Sequence, residues 1–422
     1  MMMLRRGFPV AGGADLDELA ALYRDLHAHP ELAFAEHRTA GIVAERLAGL
    51  GYQVITGVGG TGVVGVLANG TGPVVLLRAD MDGLPVLEQT GLPYASTRRA
   101  KDADGADVPV MHACGHDMHV TCLLGAAAEL AAARAAWRGT LLLVFQPAEE
   151  AGKGARAMVD DGLYERVPVP DIVLGQHVMP LPAGVLSVHG GPAMAAADAL
   201  RVVLYGQGGH GSRPETTVDP ILMAAAAVLR LQGVVSRELA ASETTVLTVG
   251  ALRAGTAPNI IPDQAELLLS LRSFSDEVHD KARAAIDRIV RGEAAASGAT
   301  KEPEIITEVS FPVLVNDPDA SARLAGLFNE AGLLTLDPGP VTGSEDVGLL
   351  ATAAGVPCVY WFLGGSDPAL FAGVTTIEEA RGIVDGLPSN HSPLFAPVID
   401  PTIRTGVAAL TTAARAWLGT AG

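Results

Sequence analysis

Cysteine is scarce in this chain: three among 422 residues, at positions 114, 122 and 358. An odd, scattered set makes no disulfide framework, so the expectation is a reducing compartment. Positive charge is short as well. Lys and Arg number 29 against 47 Asp and Glu, the net charge is −18, and no dense basic stretch occurs. That excludes a surface built for nucleic acid, whose affinity rests on clustered cations. Long apolar runs are missing too. The longest are alanine-rich and interrupted, and none reaches the roughly 20 residues of a membrane span. Met1–Val10 carries two arginines but no apolar segment long enough for a secretory signal. These absences lead us to expect a soluble, cytoplasmic protein.

What is present is an apolar fraction of 49%, ample for a sizeable core. The length suggests two domains, or one with an insertion. Helical periodicity runs over 15–29 and 36–50, and Gly51 reads as a stop. Strand patterns at 63–67, 74–77, 140–145 and 172–175 alternate with helical ones at 117–135 and 155–161, which indicates an α/β sheet. After Gly190-Gly191-Pro192 the order becomes strand, helix, strand, strand, helix, strand, at 200–205, 220–234, 245–249, 265–271, 276–291 and 304–308. That is the split unit of a ferredoxin-like layer. The α/β pattern resumes with helices at 320–331 and 347–354, a strand at 358–362 and a helix at 401–418. The expected division is therefore a catalytic domain in two pieces, 1–195 and 310–422, around an inserted domain at 196–309.

Metal-binding residue types gather at the ends of the apolar runs. The densest group is Met111-His112-Ala113-Cys114-Gly115-His116-Asp117-Met118-His119. Glu149-Glu150 follows the run 141–145, His177 follows 172–175, and His391 stands in Asn390-His391-Ser392-Pro393. In open α/β sheets ligands collect beyond the carboxyl ends of the strands, so distant residues can converge there. Cys114 and His116 are too close for a zinc-finger pair, but a glycine between them permits a turn that aims both at one centre. A thiolate, imidazoles and a carboxylate suit a zinc-like or manganese-like ion, and a second carboxylate can take a proton from activated water. Singly, each has a plain alternative: a buried thiol, a loop histidine, or acids at a helix start. Together they read as a metallohydrolase.

Several ordered motifs carry a family resemblance. They are Arg24-Asp25-Leu26-His27-Ala28-His29-Pro30-Glu31-Leu32, Arg78-Ala79-Asp80-Met81-Asp82-Gly83-Leu84-Pro85, the Cys/His cluster, and Phe145-Gln146-Pro147-Ala148-Glu149-Glu150. Gly208-Gly209-His210-Gly211, Asn259-Ile260-Ile261-Pro262, Gly343-Ser344-Glu345-Asp346 and His391-Ser392-Pro393 follow. Over nearly its whole length the chain resembles the metal-dependent amidohydrolase branch of the aminoacylase/carboxypeptidase family, which includes N-acyl-amino-acid, hippurate and auxin-conjugate hydrolases. The resemblance implies a dinuclear catalytic domain with helices around a mixed sheet, and an inserted lid and dimerisation domain.

It also implies roles. Cys114, His116, Glu150, His177 and His391 would hold two divalent ions, with Cys114 bridging. Zinc or manganese is expected, and cobalt and nickel are compatible with the donors. Glu149 would be the general base. Asp80 and Asp117 would orient imidazoles. Peptidase relatives carry a ligand histidine where Arg78 stands, and an arginine cannot ligate. His210 would stabilise the oxyanion from a partner subunit, so a homodimer or higher homo-oligomer is expected, the alternative being a closure that supplies His210 in cis. Asn259 and Arg272 would read the substrate carboxylate. Two departures bear on acyl preference: Glu215 where many relatives have histidine, and Val347 where an aromatic is common. Ser344 could serve as a helix N-cap. The implied reaction is hydrolysis of an N-acyl-amino acid. The alternatives are a dipeptidase or carboxypeptidase using the same metals, and a non-catalytic metal-binding protein.

Overall fold

Helix starts and strand periods in this sequence translate directly into elements. In the computed structural model, residues 15–420 are described, and the reading of Met1–Val10 lies outside them. Asp15 caps the first helix by accepting the amide of Asp17 at 2.8 Å. The chain then runs through α1 (Leu16–His27), α2 (His37–Gly49), β1 (Gln53–Val58), β2 (Gly62–Asn69) and β3 (Val74–Asp80). Next come α3 (His116–Ala132), β4 (Trp137–Gln146), α4 (Gly154–Asp160), β5 (Ile172–Pro182) and β6 (Val185–Ser187). A second series follows: β7 (Ala196–Tyr205), α5 (Pro220–Gly233), β8 (Thr245–Ala254), β9 (Gln264–Ser273), α6 (Asp276–Ala296) and β10 (Glu304–Phe311). The last stretch holds α7 (Pro318–Glu330), β11 (Leu334–Leu336), α8 (Gly348–Ala354), β12 (Cys358–Ser366) and α9 (Thr402–Trp417).

The chain forms two units, one comprising residues through Gly191 with Val315–Gly339 and Asp346–Gly422, the other Pro192–Leu314 with Pro340–Glu345. In the first, a mixed sheet has the order β1-β2-β4-β3-β5-β12-β6-β11, and Gly419–Thr420 pairs with β4. Its four central strands, β4, β3, β5 and β12, are parallel. Val75, Leu77, Leu141, Leu143 and Phe145 join Leu22, Leu26, Leu123, Val407 and Leu410 of α1, α3 and α9 in one core. The intervening Leu76, Leu142 and Val144 are fully buried too. Burial on both faces explains why these strands read as continuous apolar runs rather than alternating ones.

In the second unit four antiparallel strands take the order β8-β9-β7-β10, with α5 and α6 contributing Met223, Ala227, Leu231, Ile286 and Val290 to their own core. Here the split β-α-β-β-α-β order is realised. Contrary to the sequence expectation, one stretch, Pro220–Glu238 of 19 residues, is long and apolar enough to cross a membrane. Its Met223, Ala227 and Leu231 face the core of this layer.

Candidate metal centre

The carboxyl ends of β3 and β4, the start of α3 and the middle of β5 bring the donor residues together. Cys114 and His116 flank Gly115, whose φ of +81° lets the chain turn into α3. A Cβ there would lie 2.4 Å from Val178 Cγ1, so glycine is required for space as well as conformation. His177 lies inside β5, opposite Phe362 of β12, and not past the strand end as its sequence suggested. The polar pair Gln176-His177 interrupts the apolar run without ending the ladder. His177 Nδ1 donates to Val178 O at 2.8 Å, which turns Nε2 toward Cys114 Sγ, 3.4 Å away.

Two clusters of potential donors share Cys114. One is Cys114, His116 and His177; the other is Cys114, Glu150 and His391, and within each the donor atoms lie within 4.8 Å of one another. His391 Nε2 is 3.2 Å from Glu150 Oε2, and His391 itself takes φ +71° with its amide on Ala113 O at 2.8 Å. Glu149 Oε2 lies 3.9 Å from His116 Nε2.

The electrostatics call for a cation. Buried His116 Nε2 has no hydrogen-bond partner, although Asp80 stands at 3.6 Å and Glu150 at 3.8 Å. Burial alone would lower the pKa of His116, yet Asp80, Asp82 and Glu150 together raise it to about 10. Burial, then Glu150, Glu149 and Asp80, push the Cys114 thiol well up. Excess carboxylate around a bare imidazole nitrogen and a buried thiol is the arrangement a divalent ion satisfies. The donors present therefore fit a pair of metals.

Comparison with known proteins follows the same line. The sequence model of peptidase family M20/M25/M40 matches residues 76–378. The chain belongs to this family. It is 37% identical to thermostable carboxypeptidase 2 of Saccharolobus solfataricus over 90% of both chains. It is 39% identical to hippurate hydrolase of Campylobacter jejuni, over 82% of this chain and 88% of that one. A solved Bacillus subtilis structure, described as a dinuclear metal binding peptidase from the M20 family, superposes with a TM-score of 0.73 at 29% identity, covering 94% of this chain and 97% of that one. Membership in the M20 family makes this protein a hydrolase of amide bonds.

Around this M20 centre, buried carboxylates hold imidazoles. Asp80 orients His119, with 2.5 Å between Oδ1 and Nδ1, and Asp117 holds His27 Nδ1 at 2.7 Å. Neither hydrogen-bonds a proposed ligand. The residue that does is Asp82, which the sequence reading passed over. Its carboxylate meets His116 Nδ1 at 3.2 Å and accepts the amides of Glu149 at 3.1 Å and Glu150 at 3.0 Å. The signal for it was its place in Asp80-Met81-Asp82, just past β3. His119 Nε2 in turn accepts Val178 N at 2.8 Å, beside His177. Arg78, fully buried, donates to Asp80 at 2.6 Å and to Gln146 at 2.9 Å. It is a hub beneath the site.

The remaining sequence-selected residues lie in or next to the second unit. His210 is exposed on a two-residue strand, where Gly209–His210 pairs antiparallel with Ile260–Ile261. Its Nδ1 accepts Ser212 N at 3.1 Å, and the exposed Asn259 accepts Gly211 N at 2.8 Å. Arg272, on β9, donates to Thr342 O at 2.6 Å and to Ser344 Oγ at 3.2 Å. Ser344 is thus an acceptor for Arg272 and not an N-cap; α8 begins after Val347. Val347 is fully buried and therefore does not line an open pocket. Glu215 is exposed, 3.5 Å from Arg213.

Proposed function

We propose that this protein hydrolyses the amide bond of N-acyl-amino acids, giving a carboxylic acid and an amino acid, with Cys114, His116, Glu150, His177 and His391 holding two divalent ions. The carrying observation is the pair of three-donor clusters that share Cys114, with Glu149 beside them. Zinc or manganese fits a thiolate–imidazole–carboxylate set, and reconstitution with cobalt or nickel compares the other candidates. Bound there, the ions would polarise the substrate carbonyl and bring the pKa of a water near 7. Glu149 accepts a proton from the attacking water and delivers it to the leaving nitrogen. Asp82 keeps His116, Glu149 and Glu150 in register for that exchange. Glu149→Gln is the test: it should keep its metal and lose most turnover, and near wild-type activity would overturn the assignment.

The second unit supports self-association. Leu222 and Leu229 of α5 are 69% and 77% exposed, and Val246 and Leu252 stand out on the edge strand β8. A homodimer through this face, with His210 as oxyanion donor and Asn259 and Arg272 toward the substrate carboxylate, completes the proposal. The three buried cysteines, none of them in a disulfide, suit a cytoplasmic location.

The second reading is peptidase action on dipeptides or C-terminal residues, favoured by the similarity to a carboxypeptidase. A free α-amino group needs an acidic partner, and Glu215, exposed and 3.5 Å from Arg213, is poorly suited to that. Comparing an N-acetyl-amino acid with the matching dipeptide separates the two. Faster turnover of the dipeptide would establish the second.

A further inference from the structure

Among the described residues, three other than glycine have positive φ: Phe34 at 61°, Ala148 at 50° and His391 at 71°. L-residues seldom adopt this region, and where they do the surroundings must enforce it. His391 is a proposed ligand and Ala148 immediately precedes the proposed base. One atom links the other two: Glu36 Oε1 accepts the amide of Phe34 at 3.0 Å and that of Ala148 at 2.8 Å. Glu36 is fully buried, and its other oxygen is hydrogen-bonded by the Thr61 hydroxyl.

The next two amides, of Glu149 and Glu150, go to Asp82. Three successive amides, 148 to 150, are thus caught by two buried carboxylates, one before α2 and one after β3. On the other side, Lys153 and Gly154 donate to Ala148 O at 3.4 and 3.2 Å. Successive amides pointing inward form a concave anion site, and here side chains of the same chain fill it. Glu150 has further ties through His391 and the proposed metal. The peptide between Pro147 and Ala148 depends on Glu36 for its orientation, and that orientation sets where the Glu149 side chain leaves the backbone.

We propose that Glu36 is a positioning residue for the general base: it holds Ala148 in the left-handed conformation that presents the Glu149 carboxylate beside His116. The inference rests on the reading of Glu149 as base. Without Glu36 the Ala148 peptide relaxes to negative φ and Glu149 swings, while the metal donors, anchored elsewhere, remain. Burial and Asp82 push the Glu36 carboxyl up to about 7, so a neutral amide is a fair replacement for it. In Glu36→Gln the amide oxygen could accept both backbone amides, and the NH2 could donate to Thr61.

The test is a set of variants assayed on an N-acyl-amino acid, with metal content measured by mass spectrometry and resistance of the metals to a chelator followed in parallel. Glu36→Ala is expected to lower kcat by about two orders of magnitude, with KM and metal content near wild type. Glu36→Gln should recover at least a third of wild-type kcat. Ala148→Gly added to Glu36→Ala should recover at least fivefold, because glycine takes positive φ without enforcement. Should Glu36→Ala fail to fold, Glu36→Asp, one methylene short of both amides, carries the same comparison. A kcat within threefold of wild type, a loss that parallels loss of metal, or no recovery with Ala148→Gly overturns the proposal. Glu149→Gln in the same series separates the two levels. If it stays active, the base assignment has failed; if it is inactive while Glu36→Ala is active, only the role of Glu36 has.

Discussion

At the scale of single residues, Asp82 touches most of the chemistry at once. Its loss releases His116 Nδ1 and the amides of Glu149 and Glu150 together. Asp82→Ala should weaken metal binding about 10- to 100-fold in a chelator competition, because removing a partner that orients a ligand costs that much. His27 offers a test by pH. Burial alone would lower its pKa, but Asp117 and Glu88 raise it to about 10. A group raised in the folded state contributes stability that is complete below its ordinary pKa of about 6.5 and lost as pH climbs toward 10. The wild type should therefore lose stability between these values more steeply than His27→Gln, as read from denaturant midpoints. The gathering of thiol, imidazole and carboxylate side chains was legible in the sequence, and the family resemblance singled out Cys114, His116, Glu150, His177 and His391 among them. Asp82 and Glu36 were not, because a carboxylate that binds backbone amides from distant segments leaves no local pattern.

Among elements, α5 and β8 have the most to gain from a partner. Leu229→Glu places a charge on the exposed apolar side of α5 and leaves its core side, Met223, Ala227 and Leu231, intact. Analytical ultracentrifugation should show monomers, and kcat should fall at least tenfold if His210 acts across the dimer; an active monomer would place His210 in cis. Element identity was readable wherever a strand holds an unbroken apolar run, as β4 does over 141–145, or a helix has a cap, as at Asp15. β5 runs seven residues past its sequence-based end at 175, to Pro182, because pairing with β12 carries the ladder through polar Gln176 and His177. The short strands β6 and β11 escaped notice: three residues each hold too little periodicity to register, and they exist by pairing at the sheet edge.

On the scale of the whole molecule, the second unit spans Pro192–Leu314 and takes in Pro340–Glu345 as well, a return that has no compositional signal. Arg272 supplies the physical reason, by binding Thr342 and Ser344. Metal removal should act unevenly on these units. Chelation withdraws about 2.7 kcal/mol for each ion present at a hundredfold over its dissociation constant. Hydrogen exchange should then rise at the ends of β3 and β4 and at the start of α3, with the four strands of the second unit unchanged. The two donor clusters are also separable. His391→Ala should retain one ion per chain in native mass spectrometry, whereas Cys114→Ala, which touches both clusters, should retain neither tightly. That asymmetry has a consequence for how the protein comes into being. Every donor of the cluster Cys114, His116 and His177 has left the ribosome long before His391 is translated, with the whole of the second unit in between. The two metal positions thus have different birthdays. A nascent chain would meet its first ion with the second position still unwritten, and the pair could close only once His391 has been made.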